Sequence, residues 1–340
     1  MKDTAAEKKH YHEIDLLYAF GAILAILGHS HPNDWSAFPG QWVEFIYLFH
    51  MPLFFGIAGF LLASSRSIEH FGYGRWLGEK ALRLLTPYFV LSLAALVPKY
   101  VLEHGGFSGL TPQYLIVAFL LPRQNVWGHF WFLPVLFLLY AIFGALRCLE
   151  IASSGRGFSQ YTLLTLPIAV FLHFVKPEIG WLGIADICDF SVYFLLGYGL
   201  FSLLSRRKNV CPACAYLLLA GISLPAALCL WKLAPGNRLR DFCIAILMLA
   251  CIYALGCFLQ KRKTPVLDYI ARYVFTFYIY SWPAQAVIER LCSHNHAPWT
   301  LTTPLMFAVG LLCPTVIVLV YRKCTFLHCR FVDFVLGMRR

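Results

Sequence analysis

The chain has 340 residues, of which 59% are hydrophobic and 13% are charged, and its formal net charge is +11. Soluble domains carry about 45–50% apolar and about 25% charged residues, so this composition excludes an ordinary soluble globule, a disordered chain and a secreted disulfide scaffold. The basic excess favours membrane topology over nucleic-acid binding, because neither a basic helix nor a basic-aromatic module accompanies it.

Ten apolar segments follow one another along the chain, and a bilayer crossing needs about 20 largely apolar residues. Segments 14–29 and 161–175 are short for a crossing, and a further apolar piece at 113–121 is too short to span. Strands are not expected, because an open sheet cannot satisfy its edges in lipid. We therefore predict an all-α, polytopic membrane protein with about ten transmembrane helices. The segments are 14–29, 42–64, 84–102, 130–147, 161–175, 188–204, 212–231, 241–259, 269–290 and 300–321.

The predicted organisation is a single membrane-embedded domain over 1–340, with polar tails at about 1–13 and 322–340. Lys and Arg number twenty in one set of alternate loops together with the termini, and six in the other set. Because cytoplasmic loops collect Lys and Arg, both termini are predicted to be cytoplasmic. Loop 232–240 is the exception, since it lies on the outer side and carries three cations. No cleavable signal peptide is expected ahead of the first segment.

Two histidines lie within the first two apolar segments. Asp15 opens the first segment, and His29 follows 14 residues later, about 21 Å along a helix. His50 lies about 12–15 Å below the outer surface by the same helical rise, so the two imidazoles are predicted at similar depth. An imidazole can take a hydroxyl proton as a general base. Other interpretations stay open: haem ligation by the pair, a capping or headgroup role for His31, and a His50 bond to a carbonyl freed by Pro52.

A basic cluster precedes the third segment. Arg75, Lys80 and Arg83 lie there, and the last two share a helix face because they are three residues apart. Such cations suit a polyphosphate ligand, and cytoplasmic-face charge or anionic headgroup binding explains them equally well. His129 and Trp131 open the fourth segment at the outer side, where an interfacial aromatic belt also accounts for the tryptophan.

Two further patterns stand later in the chain. Tyr280 lies in a polar, proline-kinked patch of the ninth segment, and we predict that this patch lines a cavity. Cys211 and Cys214 form a CxxC motif, but no second Cys/His pair at zinc spacing follows it, so no metal site is expected.

These motifs, in this order, resemble the acyltransferase-3 family of integral-membrane acyltransferases, especially its fucose-4-O-acetylase-like branch. Each motif alone is weak, but the ordered set spans most of the chain. The matching stretches are Ile14-Asp15 with Gly28-His29, Phe49-His50-Met51-Pro52-Leu53-Phe54-Phe55 with Gly59, Lys80-Ala81-Leu82-Arg83-Leu84-Leu85-Thr86-Pro87-Tyr88, Trp131-Phe132-Leu133-Pro134 and Ile279-Tyr280.

The resemblance implies transfer of an acetyl or longer acyl group from cytoplasmic acyl-CoA to a hydroxyl of a glycan or glycolipid, in a bacterial inner membrane. It implies that His29 is catalytic and that Lys80 and Arg83 hold the CoA phosphates. Two positions depart from the family pattern. Tyr18 stands where the family usually has Arg or Lys, which favours a shift of CoA contacts to Arg75, Arg83 or the N-terminal lysines. Trp282 stands where the late motif usually ends in His.

The leading hypothesis is a membrane O-acetyltransferase that uses acetyl-CoA and no metal. Its expected partners are membrane lipid, acyl-CoA and a glycan or glycolipid acceptor. His50 is expected to orient His29 or to polarise the thioester carbonyl, and Asp15 is expected to pair with Lys80 or Arg83.

The Tyr18 and Trp282 departures leave a second hypothesis open, a glycan exporter or flippase of the same fold. A purely structural membrane protein is a third reading. A covalent acetyl-histidine intermediate is an alternative to direct transfer.

Overall fold

A computed structural model describes residues 10–34, 38–104, 111–154, 160–206, 212–233 and 236–338. Within these ranges the chain is helical, with short 3₁₀ turns and no strand, which confirms the all-α prediction. The N-terminal lysines and Cys211 of the CxxC motif lie outside the described residues. The helices are α1 (His12–Gly28), α2 (Gln41–Tyr47), α3 (His50–Ser64), α4 (Ser67–Phe71), α5 (Tyr73–His104), α6 (Pro112–Leu120), α7 (Phe132–Ser154), α8 (Gln160–Val175), α9 (Ile184–Arg206), α10 (Ala213–Leu233), α11 (Arg238–Leu259), α12 (Pro265–Arg272), α13 (Val274–His294), α14 (Trp299–Lys323) and α15 (Arg330–Leu336).

A helix occupies each of the ten predicted apolar segments, and α6 occupies the short piece at 113–121. In the part of the chain that the structure describes, seven helical stretches are long and apolar enough to cross a membrane, with α2 and α3 counted as one. Helices α1, α8 and α13 are not among them. The polytopic membrane fold is therefore confirmed, whereas the count of ten crossings and the cytoplasmic location of both termini stay predictions.

The second apolar segment is interrupted between α2 and α3. Proline clashes with the carbonyl four residues before it and lacks an N–H donor, but the first turn of a helix tolerates it. Pro52 therefore ends the preceding helix near Leu48, and α3 starts at His50 after Phe49, whose φ of −131° is not helical. The break places His50 at the start of a new helix, beside the end of α1.

Helices α3 and α9 approach so closely that their backbones touch. A Cβ added at Gly59 would overlap the carbonyl oxygen of Phe194, and one added at Gly197 would lie 2.9 Å from the Cα of Gly56. Lipid tails are as apolar as the helix surfaces, so the hydrophobic effect does not hold helices together in a membrane. Small residues let the two backbones approach and pack closely instead. The contact fixes α9, which carries Phe190, against α3, which carries His50.

At the other end of α1, His12 contacts α11 and α12. Its Nδ1 lies 2.7 Å from the Gln260 carbonyl oxygen and its Nε2 lies 2.8 Å from Asp268 Oδ1. Both partners accept hydrogen bonds, so both ring nitrogens carry protons and the ring is an imidazolium. The bond to Asp268 raises the pKa of His12, which precedes the apolar stretch of α1, and the same bond lowers the pKa of Asp268.

This pair predicts a pH-dependent stability. The raised pKa of His12 contributes folding stability that is complete below the usual histidine pKa and is lost as pH rises through the folded-state pKa. The lowered pKa of Asp268 contributes stability that is lost only in acid. We expect the melting temperature to fall between pH 6 and pH 8.5 by about 1–2 °C more in the wild type than in Asp268→Asn. Thermal unfolding in detergent at both pH values measures the difference, and equal pH slopes would contradict the ion pair.

Candidate active site

A cavity of about 510 Å³ lies among α1, α3, α5, α7 and α13. One face of α1 lines it, since the α1 residues recur at intervals of three or four, which place side chains above one another on a helix. One face of antiparallel α3 lines it in the same way. Both faces run over 12 residues, and the 11 steps between the first and the last correspond to about 16 Å at the rise of a helix. The residues are Tyr18, Ala22, Ala25 and Ile26 of α1 with His29 directly after it, and His50, Met51, Phe54, Ala58 and Leu61 of α3.

One end of the cavity carries two cations. Lys80 and Arg83 both line it from the start of α5, as their spacing of three residues predicts. Lys80 Nζ lies 4.4 Å from the ring centroid of Tyr140, and the Arg83 guanidinium lies 5.6 Å from that of Phe275. These cation–π contacts hold both side chains against the cavity wall. We call this part the cationic end.

The opposite end carries two histidines. The His29 and His50 ring centroids are 6.4 Å apart and the rings are perpendicular. Tyr47, the last residue of α2, places its hydroxyl oxygen 2.9 Å from the Gly28 carbonyl oxygen and 3.2 Å from His29 Nδ1. The sequence predicts that the two imidazoles lie at similar depth, and in the structure the two rings are neighbours. We call this part the histidine end.

The hydrogen bonds indicate which nitrogen of each ring is basic. The single proton of Tyr47 is donated to the Gly28 carbonyl, which can only accept, so the tyrosine oxygen accepts from His29 Nδ1–H. His50 Nδ1 lies 3.0 Å from the Ile46 carbonyl oxygen and donates to it. In each neutral ring Nε2 then keeps its lone pair. These bonds therefore leave two basic nitrogens, His29 Nε2 and His50 Nε2. Because Ile46 belongs to α2 and His50 begins α3, the His50 bond also spans the break between the two helices.

Arg123 also lines the histidine end, although the sequence indicated it only as a loop cation. Its guanidinium lies 3.9 Å from the Trp131 ring centroid, and its Nε and Nη2 donate three hydrogen bonds to Asp186, the shortest 2.6 Å. Asp186 is 4% exposed. A bidentate carboxylate pair fixes the orientation of a guanidinium, so Arg123 supplies a fixed positive charge at this end.

Two buried acceptor atoms in the cavity wall have no hydrogen-bond partner among the described residues. His129 donates from Nε2 to the Ile279 carbonyl 3.3 Å away, which leaves Nδ1 without a partner. Gln285 Nε2 lies 2.8 Å from both the Ile26 carbonyl oxygen and Ser30 Oγ, which leaves Oε1 without a partner. Unpaired buried acceptors are costly, so this wall suits a ligand that donates hydrogen bonds.

The predicted site residues divide into two groups. Seven of them line the cavity, namely Tyr18, His29, His50, Lys80, Arg83, His129 and Trp131. Three others lie elsewhere in the structure. Arg75 stacks over Phe71 at 5.0 Å, and the Tyr280 hydroxyl donates to the Val335 carbonyl at 3.0 Å. Asp15 pairs with His10 at 2.7 Å, in place of the expected Lys80 or Arg83.

Both departures from the family pattern also line the cavity. Tyr18 packs with its ring centroid 6.3 Å from that of Phe54. Trp282 packs 5.1 Å from the His129 ring. The tryptophan therefore occupies volume beside His129 in the cavity wall. No group of three or more His, Cys, Asp or Glu residues in the described ranges could hold a metal ion.

Comparison with known proteins places the whole cavity inside one family match. The family model of the Acyltransferase domain matches residues 11–321. Nodulation protein NolL of Sinorhizobium fredii is 31% identical over 166 residues, which are 46% of this chain. The matched region spans 43% of that relative's own length. No solved structure matches the chain.

Proposed function

Since the chain belongs to the family of this Acyltransferase domain, we propose that it is a membrane O-acetyltransferase that moves an acetyl group from cytoplasmic acetyl-CoA to a hydroxyl of a cell-surface glycan or glycolipid. One observation carries the proposal: a single cavity joins Lys80 and Arg83 to His29 and His50. An acyl-CoA has phosphates at one end and a reactive thioester at the other, joined by a narrow arm. The cavity offers cations and imidazoles in the same order.

The proposed chemistry uses the tautomer of His29. Its Nε2 takes the proton of the acceptor hydroxyl, and the oxygen attacks the thioester carbonyl carbon. The carbon–sulfur bond then breaks, and the CoA thiolate takes the proton back from the imidazolium. Tyr47 accepts from Nδ1–H throughout and so positions the ring. The Nδ1–H bond of His50 to Ile46 leaves an acceptor at Nε2, which supports a role in orienting the hydroxyl over polarising the thioester carbonyl.

The proposed donor site predicts a charge-dependent affinity. Charge-assisted hydrogen bonds are worth about 1.5–3 kcal/mol each, so Lys80→Gln combined with Arg83→Gln should raise the Kd for acetyl-CoA by about 100-fold or more. Acetyl-pantetheine lacks the phosphates, and its affinity should stay within about twofold. Titration calorimetry on detergent-solubilised protein measures both ligands.

Arg75→Gln is the control for the donor site, because it removes one cation from the same helix outside the cavity, as the single variants Lys80→Gln and Arg83→Gln each do inside it. Its affinity for acetyl-CoA should equal that of the wild type. Wild-type affinity in the double variant, or an equal loss of acetyl-pantetheine binding, would remove Lys80 and Arg83 from phosphate recognition.

A glycan exporter or flippase of the same fold is the second candidate. Tyr18 and Trp282 favour it, because both line the cavity at positions where the family resemblance implies a cation and a histidine. Acceptor-dependent release of CoA thiol separates the two functions: the acetyltransferase releases one thiol for each acetyl ester formed, and the exporter releases none. The fucose-4-O-acetylase-like branch and a bacterial inner-membrane location belong to the leading proposal, supported by the motif order and the apolar helices.

A further inference from the structure

A second, more polar cavity of about 280 Å³ opens between α8, α9 and α11. Lys176, at the end of α8, and Arg238, at the start of α11, line it together with Asp189 of α9. Loop 232–240, which contains Arg238, carries three cations, more than any other loop predicted on the outer side. Charged groups within apolar helices are costly and mark functional sites by default. We call this space the outer cavity.

Asp189 is the centre of the outer cavity. Its carboxylate lies 2.8 Å from Lys176 Nζ, 3.0 Å from Arg238 Nη2 and 2.9 Å from His173 Nδ1. Lys176 holds this contact in a left-handed conformation, with φ at +38°. Such strain costs about 1–3 kcal/mol and persists only where the surroundings enforce it. The two cations face one carboxylate and are 42% and 38% exposed at their side chains, so they retain donors for a ligand.

Aromatic rings complete the wall of the outer cavity. Phe242 lies 5.8 Å from Tyr193 and 5.1 Å from His173, measured between ring centroids. Asp241 also lines the cavity, and its charge is paired with Arg240 at 2.6 Å. A sugar ring has hydroxyls that bond to charged side chains at its edge and C–H groups that pack on aromatic faces. Convergent polar groups beside aromatic rings are the arrangement that fixes such a ligand.

The outer cavity adjoins the histidine end of the first cavity. Tyr47 and Phe190 line both spaces. The Tyr47 hydroxyl contacts His29 Nδ1 at 3.2 Å, and Phe190 stacks on Phe55 with ring centroids 4.7 Å apart. One layer of side chains therefore separates the outer cavity from the proposed base. A sugar held in the outer cavity therefore lies next to the histidine end of the first cavity.

From this geometry we propose that the outer cavity binds the acceptor, a sugar unit held by Arg238, Lys176 and Asp189. The inference rests on the proposed function for the direction of transfer. The binding site itself stands on the charged and aromatic groups that converge there. The acceptor hydroxyl passes Tyr47 and Phe190 to reach His29, while the acetyl donor approaches from the cationic end. Donor and acceptor thus occupy separate cavities that meet at the histidine end.

The test separates acceptor binding from donor chemistry. Arg238→Gln and Lys176→Gln should each raise the KM for the acceptor sugar by about 10-fold or more, because each removes a charged hydrogen-bond donor. The Kd for acetyl-CoA should stay at the wild-type value, because neither residue lines the cavity that contains Lys80 and Arg83. The acceptor probes are methyl glycosides of hexoses, 6-deoxyhexoses and uronic acids, with binding followed by saturation-transfer NMR.

Lys232→Gln is the matched control, since it removes a cation from the same loop region at a residue outside the cavity lining. Its acceptor KM should equal that of the wild type. Size-exclusion elution and the melting temperature verify that each variant is folded. The NMR arm is independent of catalysis, so it tests the outer cavity even where no acetyl transfer occurs. Equal glycoside binding by wild type and both variants, or binding of no glycoside by wild type, would overturn the proposal.

Discussion

His29→Gln should lower kcat for acetyl transfer by about 10²–10⁴-fold, the usual contribution of a positioned general base. Glutamine keeps a similar volume and a polar end but has no basic nitrogen, so the loss would fall on proton transfer. The ring has its Nδ1–H held by Tyr47, which directs a basic Nε2 to the reaction. The Kd for acetyl-CoA should stay within about twofold, because the cationic end is unchanged. Stopped-flow detection of released thiol, combined with titration calorimetry, measures both quantities.

His31→Gln is the control for this prediction. His31 lies two residues further along and contacts the same Tyr47 hydroxyl at 3.4 Å, but it does not line the cavity. Its variant should keep kcat within a few-fold of the wild-type value. A His29→Gln protein with wild-type kcat, or one whose whole deficit is a weaker Kd for acetyl-CoA, would contradict the role of His29 as base.

The depth of the histidines could be predicted from the sequence, because residue spacing along a helix converts directly into distance. The same arithmetic separates members of the basic cluster. Arg75 and Lys80 are five residues apart, about 140° around a helix, so they cannot share one face. Lys80 and Arg83 do share a face and line the cavity, while Arg75 stacks on Phe71.

Other parts of the site depend on contacts between distant segments, which spacing does not reveal. Gln285 reaches Ile26, 259 residues away in the sequence. Arg123 is held by Asp186, 63 residues away. Tyr47 contributes because the helix breaks after it, and the signal for that break was Pro52. A polar glutamine in an apolar segment was the available signal for Gln285, but its partner required the packing of α13 against α1.

Gly197→Ala should prevent most of the protein from folding, which is the largest structural effect we expect. The added methyl carbon would lie 2.6 Å from the carbonyl carbon and 2.9 Å from the Cα of Gly56, and it would overlap the Gly56 oxygen. Overpacking usually costs about 1–3 kcal/mol, because side chains can shift. Here the obstacle is backbone, so α3 and α9 must move apart. Their separation would expose Phe55 and Phe194, both 0% exposed in the native fold.

The same displacement would also separate the two proposed substrate sites. Helix α3 carries His50, and α9 carries Phe190 and Asp189, so loss of the α3–α9 contact moves the histidine end away from the outer cavity. Gly59→Ala should behave alike, since its methyl would overlap the Phe194 carbonyl oxygen. Gly221→Ala on α10 is the matched control, because a Cβ there meets nothing within 4 Å. Fluorescence size-exclusion chromatography should show aggregated Gly197→Ala and monodisperse Gly221→Ala. Wild-type elution and melting temperature for Gly197→Ala would contradict backbone contact between α3 and α9.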